Sequence, residues 1–158
     1  MASDTLEGGC ACGEVRYRVE GEPMFVHCCH CTSCQTETGS AFVINALYES
    51  ARVTAVKGEP EPILTPSESG KGQQIWRCPK CRVALWSNYG GAIDKIRFVR
   101  VGTLDNPGEL RPDIHIYTRS KLPWVVLPDS ALAVEAYYNS AEVWPSSSLE
   151  RRKAALGA

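Results

Sequence analysis

The nine residues HCCHCTSCQ, positions 27 to 35, hold four cysteines and two histidines. Thiolate sulfur and neutral imidazole suit zinc and similar borderline-soft cations, and a thiolate is also a nucleophile, so the segment offers a metal cage, a disulfide knot or a reactive centre. Four more cysteines stand in Cys10-Ala-Cys12 and Cys78-Pro-Lys-Cys81. The opening MASDTLEGGC has neither a basic leader nor an apolar signal core, and no run approaches the ~20 apolar residues that span a bilayer. A cytoplasmic location and no membrane contact are therefore expected. In a reducing compartment, eight clustered cysteines favour metal binding or thiolate chemistry over four disulfides.

The two outlying pairs read together. Residues i and i+2 of an extended segment face one side, about 6.5 to 7 Å apart, so a C-x-C pair can aim both sulfurs at one ion. A C-x-x-C turn does the same, with backbone N–H groups free to bond the thiolates. Closed tetrahedral zinc takes four ligands, and Cys10, Cys12, Cys78 and Cys81 supply four. Such a site would tie the beginning of the chain to a distant turn and order a fold rich in loops. The competing reading of C-P-K-C is a redox dithiol, which belongs beside a βαβ pattern that this sequence does not show.

Within the central segment, alternation puts Cys29 and Cys31 on one side and Cys28 and His30 on the other, and Cys34 returns one turn later. Three convergent sulfurs leave one corner of a tetrahedron for water or substrate. Three thiolates on Zn²⁺ leave a net charge of about −1, so bound water is acidified less than in a tris-histidine site. A thiol is the more natural fourth partner, which favours thiol chemistry over ester or peptide hydrolysis. The rival is a closed, purely structural site completed by Cys28, His27 or His30. Each of those is otherwise a core residue or a support for a ligand, with His30 able to donate a hydrogen bond near the centre.

Short alternating runs must position these residues: EVRYRV (14–19), AFVINALY (41–48), RVTAV (52–56), QIWR (74–77), VALWS (83–87), KIRFVRV (95–101), DIHIYT (113–118) and WVVL (124–127). The stretch 57–74, rich in proline, glycine and charge, reads as an exposed loop. A short helix is expected at DSALAVEAYY, capped by Asp129 with Leu132, Ala136 and Tyr137 on one face, and the tail is either a second helix capped by Ser148 or a frayed end. The expected fold is therefore one mainly β zinc-containing domain over residues 1–142, with a tail at 143–158.

GGCACGEVRYRVEGEP, CHCTSCQTETGSAF, a later C-P-x-C, VGTLDNPGELRPDIHIYTRSKLPW and DSALAVEAY occur in this order between about residue 6 and residue 140. Together they resemble the glutathione-dependent formaldehyde-activating enzyme family, often named jointly with centromere protein V. The resemblance implies a mainly antiparallel β fold similar to that of a zinc-containing Rab exchange factor, with two zinc sites. It implies a structural site on Cys10, Cys12, Cys78 and Cys81 and a catalytic site on Cys29, Cys31 and Cys34. Of the two zincs, the second is expected to be the more labile. The implied activity adds glutathione's thiol to formaldehyde, giving S-hydroxymethylglutathione, and its reverse carries the label carbon–sulfur lyase. In one departure, the family commonly has glycine after C-P-x-C where Arg82 stands here, a strained choice wherever that position needs positive φ.

Other residues are secondary candidates. His115 shares the alternating face of Asp113 and Tyr117 and reads either as a proton shuttle or as a hydrogen-bonded strand histidine. Trp76, Trp86 and Trp124 read as core anchors; Arg119 and Lys121 read either as holders of a substrate carboxylate or as surface charge. A formal net charge of −1 gives no general attraction for nucleic acid or anionic lipid, and no glycine-rich loop precedes a helix to cradle a phosphate. The expected partners are a small thiol such as glutathione and a small aldehyde. The alternative is a zinc-stabilised binding module without catalysis.

Overall fold

A strand with one buried face needs apolar and polar residues in alternation. The segment Arg16–Glu20 shows the outcome, with Tyr17 and Val19 fully buried between exposed neighbours. The computed structural model describes residues 4–90 and 94–157; the first three residues of MASDTLEGGC lie outside this range. In chain order its strands and helices are β1 (Thr5–Gly9), β2 (Arg16–Glu20), β3 (Phe25–Cys29), α1 (Thr32–Thr38), β4 (Val43–Glu49), β5 (Val53–Lys57), β6 (Glu61–Thr65), β7 (Gln73–Arg77), β8 (Ala84–Tyr89), β9 (Ile96–Arg100), β10 (Ile114–Ile116), α2 (Ser140–Val143) and α3 (Ser146–Leu156). The fold is mainly β.

β1, β2 and β5 make a three-stranded antiparallel sheet, and the remaining strands make a seven-stranded sheet ordered β10-β3-β4-β9-β8-β7-β6. All pairs in the large sheet are antiparallel except β10 with β3, which run parallel with Ile116 opposite Cys29. The small sheet packs on one face of the large one through Tyr17, Val19, Val53, Ala46, Tyr48, Trp86 and Val99. The opposite face carries a second core, in which Phe25, Cys29, Val43, Leu47 and Ile116 meet Cys31, Cys34 and Trp144. Trp144 stacks on Phe25 with ring centroids 5.4 Å apart, and α3 is tied to β4 by the Arg151–Glu49 pair. No helix among the described residues is long and apolar enough to cross a membrane.

Several local expectations are corrected. Residues 129–138 are not helical: the backbone of His115 and Tyr117 exchanges hydrogen bonds with Leu132, Val134 and Ala136, so this segment covers the free edge of β10. With that edge taken, WVVL has no strand to join; Pro123 and Pro128 flank it, and Trp124 is 70% exposed rather than a core anchor. The loop expected at 57–74 contains β6, an edge strand too exposed to show alternation, with Pro62 tolerated at the edge. The tail is helical over Ser146–Leu156, preceded by Pro145 rather than capped by Ser148.

Candidate active site and metal centres

The first cysteine cluster forms where a turn and a strand end meet. Cys10 and Cys12 follow β1, Cys78 follows β7, and the four sulfurs of Cys10, Cys12, Cys78 and Cys81 all lie within 4.8 Å of one another. The distances Cys10–Cys12 and Cys12–Cys78 are 3.6 and 3.7 Å. Tetrahedral zinc with sulfurs at ~2.3 Å separates its ligands by about 3.8 Å, so this donor set fits the ion. Backbone N–H groups of Val15 and Lys80 donate to Cys10 and Cys78, and the backbone N–H of Val83 helps draw the Cys81 thiol down to about 6. The turn is completed by Arg82, whose N–H reaches the Cys78 carbonyl with φ at +65°. This is the left-handed conformation that glycine adopts without strain.

The second cluster is built at the junction of β3 and α1. Cys29 ends the strand, and His30 prolongs the pairing by one hydrogen bond, its N–H to Ile116 C=O at 3.0 Å. Cys31 then caps α1, its sulfur accepting the N–H of Cys34 at 3.2 Å. α1 is short and threonine-rich, with little intrinsic helix preference. It is held by Gln35, which donates to the carbonyls of His30 and Ser120 at 2.9 Å, and it ends at Gly39 in the left-handed conformation. The sulfurs of Cys29, Cys31 and Cys34 converge within 4.8 Å, and all three residues are buried. Hydrogen bonds from Cys29 and Cys34 pull the Cys31 thiol to about 3, while sharing with Cys31 raises Cys29 and sharing with Cys29 raises Cys34. The three sulfurs thus share protons and hydrogen bonds with one another. A cation completes such a set by displacing the remaining protons, so the residues fit a metal.

Tyr117 packs against the core that contains this cluster and holds a left-handed backbone of φ +54°, with the Arg119 guanidinium 5.5 Å from its ring centre. Burial, and then the charge on Cys29 and Cys31, raises the Tyr117 phenol, so it remains a hydrogen-bond donor at neutral pH. Burial also raises Tyr89 and Tyr137, each with a smaller contribution from the cysteine charge. Spacing in the sequence put Tyr117 on the polar face of its strand and Tyr137 on a helix face, and neither pattern pointed to the cysteines.

A cavity of about 390 Å³ lies between the end of α1 and the strands, bounded by Glu37, Thr38, Phe42, Val43, Arg77 and Arg100 among others but by none of the three cysteines. Val43 is the cross-strand partner of Cys29. Glu37 bridges Arg77 at 2.6 Å and Arg100 at 3.2 Å, and Arg100 also donates to Asn45. Glu37 lies three residues after Cys34 on α1, so recognising the helix would have placed both on one face.

His27 does not complete the trio; its Nε2 meets the Tyr138 hydroxyl, and burial pulls its pKa to about 4, keeping it neutral. Cys28 and His30 face away from Cys29 and Cys31, as alternation requires, and meet His115 instead. Arg119 reaches Glu68, and Lys121 donates to the carbonyls of Leu122 and Val125. Trp86 is buried, and Trp76 packs against the core between the sheets.

The family model described as glutathione-dependent formaldehyde-activating enzyme matches residues 5–120. The search of curated proteins gives no match. Among solved structures, a Rhodobacter sphaeroides protein determined as a structural-genomics target is 20% identical with a TM-score of 0.49, over 68% of this chain and 92% of that one.

Proposed function

For a chain that belongs to the glutathione-dependent formaldehyde-activating enzyme family, we propose a reaction centre at Cys29, Cys31 and Cys34 and an activity of the carbon–sulfur lyase type. The substrates are a small thiol of the glutathione kind and formaldehyde or a related aldehyde. A C–S bond forms as the carbonyl π bond breaks, and the thiol proton ends on the former carbonyl oxygen. The observation that carries the reading is the convergence of three buried sulfurs, with no fourth cysteine or histidine ligand atom in the group among the described residues. Zn²⁺ held by these sulfurs would lower the pKa of the incoming thiol and orient it.

The remaining roles belong to the chain itself. The β3–α1 junction fixes the three sulfurs, and the N–H of Cys34 stabilises negative charge on Cys31. The apolar surroundings exclude water that would compete for the aldehyde. The Tyr117 hydroxyl is the proposed donor to the oxygen as it gains charge. Cys10, Cys12, Cys78 and Cys81 are the proposed structural zinc ligands. All eight cysteines are free, which supports a reducing, cytoplasmic setting.

A Cys31→Ser variant tests the proposal. It should retain the wild-type circular dichroism spectrum, while its rate of thiol–aldehyde addition, followed by loss of the aldehyde NMR signal, falls to that of buffer. A wild-type rate in this variant, or no rate above buffer for the wild type with glutathione, cysteine or cysteamine, overturns the reading.

A further inference from the structure

We propose that Cys28, His30 and His115 form a third metal centre, on the face of the large sheet opposite Cys29, and that it takes a borderline-soft divalent cation such as zinc. The ligand atoms lie within 4.8 Å of one another, with Cys28 Sγ 3.6 Å and His115 Nδ1 3.0 Å from His30 Nε2. Zinc with sulfur at ~2.3 Å and imidazole nitrogen at ~2.0 to 2.1 Å sets S···N near 3.5 Å and N···N near 3.3 Å. The first spacing is already met. The second needs an opening of a few tenths of an ångström, which the half-buried His115 can give.

Local sequence does not force this convergence. Cys28 and His30 come from the β3 segment, whereas His115 is brought opposite Cys28 by the parallel pairing of β10 with β3. Cys28 and His30 are at most 1% exposed, so their polar atoms must find partners inside the protein.

Protons alone satisfy the cluster poorly. If His30 Nε2–H donates to His115, the Cys28 S–H has no acceptor within the cluster and His30 Nδ1, buried without any partner, is an orphan acceptor. If Cys28 S–H or His115 Nδ1–H donates to His30 Nε2 instead, the buried His30 Nδ1–H becomes an orphan donor and the other of the two has no partner within the cluster. One cation satisfies the thiolate and both facing nitrogens together, leaving only His30 Nδ1–H unpaired.

Charge favours the same conclusion. Lys121, the nearby cation, directs its ammonium to the carbonyls of Leu122 and Val125. One thiolate and two neutral imidazoles on a divalent ion give a net charge of about +1, opposite to the −1 of three thiolates on the other face of β3. The two centres would therefore attract rather than repel.

Metal counting on the full chain tests this independently of any thiol chemistry. The protein is reconstituted with excess Zn²⁺ or Co²⁺, desalted, and assayed by elemental analysis. The wild type should retain three equivalents, and His115→Ala and Cys28→Ala two each. With Co²⁺, Cys28→Ala should also lose part of the sulfur-to-metal charge-transfer absorption. Equal counts in the wild type and either variant, with folding verified by circular dichroism, overturn the proposal. Cys31→Ser, which removes a ligand on the other face, should still show the His115-dependent equivalent; its own loss of one equivalent reports on the proposed reaction centre alone.

Discussion

Cys12 is solvent-exposed, and an exposed cysteine replaced by serine ordinarily changes stability by less than about 0.5 kcal/mol. If Cys10, Cys12, Cys78 and Cys81 hold an ion, the same substitution opens a cross-link between positions 66 residues apart. The chain entropy of closing such a loop, −2.1 − 1.5R ln n with n of 66, is worth about 4 kcal/mol at 25 °C. That figure bounds the loss when one of four ligands is weakened. In a domain of this size each kcal/mol moves Tm by about 2 to 4 °C, so Cys12→Ser should lower Tm by up to about 8 to 16 °C. The assay is thermal unfolding of both proteins, with bound metal measured on the same samples and a parallel series in a strong chelator. The wild type should fall towards the variant as chelator is added, because both then lack the clip. A Tm within about 2 °C of wild type, with no chelator sensitivity in either protein, would refute the cross-link.

Two further predictions concern packing and the tail. The Tyr48 hydroxyl is buried without a hydrogen-bond partner, so Tyr48→Phe should raise stability by about 1 kcal/mol in urea unfolding; a loss of stability would show that the hydroxyl has a partner. Burial raises Glu49, but the hydrogen bonds from Arg151 and from its own backbone N–H, together with the charges of Arg151 and Arg52, outweigh it, and its net pKa in the folded protein is below the ordinary carboxylate value. Its contribution is therefore full above about pH 4.5 and is lost as pH falls through the depressed folded value. Amide exchange in α3 should accelerate in acid in the wild type, whereas Arg151→Ala should exchange faster already at pH 7 and lose most of the acid dependence, an effect of up to about 1 kcal/mol. The same acid dependence in the variant would assign it to another group.

The sequence was legible where one residue's environment repeats every second position. Tyr17 and Val19 announced β2, and Cys28 and Cys29 took opposite faces of β3 for the same reason. It was misleading where partners decide the structure. Leu132, Ala136 and Tyr137 have helical spacing, yet their segment closes the edge of β10 because unpaired backbone groups there need partners more than a weak helix needs to form. α1 was hidden for the converse reason: threonines and a cysteine make a poor helix until Cys31, Gln35 and Ser120 fix its ends. Arg82 announced its left-handed turn only by standing where glycine was expected. The cysteine spacings themselves gave both sulfur clusters, whereas the cluster of Cys28 and His30 with His115 depended on a parallel strand pairing that no local pattern encodes.

The spacing C-H-C-x-x-C follows from the way a strand turns into a helix. Across the end of β3, residues two apart share a side, which places Cys29 beside Cys31. At the start of α1 the cap residue meets the third residue of the helix, which places Cys31 beside Cys34 through the backbone N–H that reaches its sulfur. Moving any one cysteine by a single position would send its sulfur to the other side of the strand or around the helix. The same alternation leaves Cys28 and His30 for the opposite face, so one chain reversal supplies two donor sets of different softness and charge. Rigidity there matters more than helix length: the His30 carbonyl, bonded by both Gln35 and Ser120, pins the junction to the segment after β10. Loosening that pin should disturb the three-sulfur cluster before it disturbs the sheet.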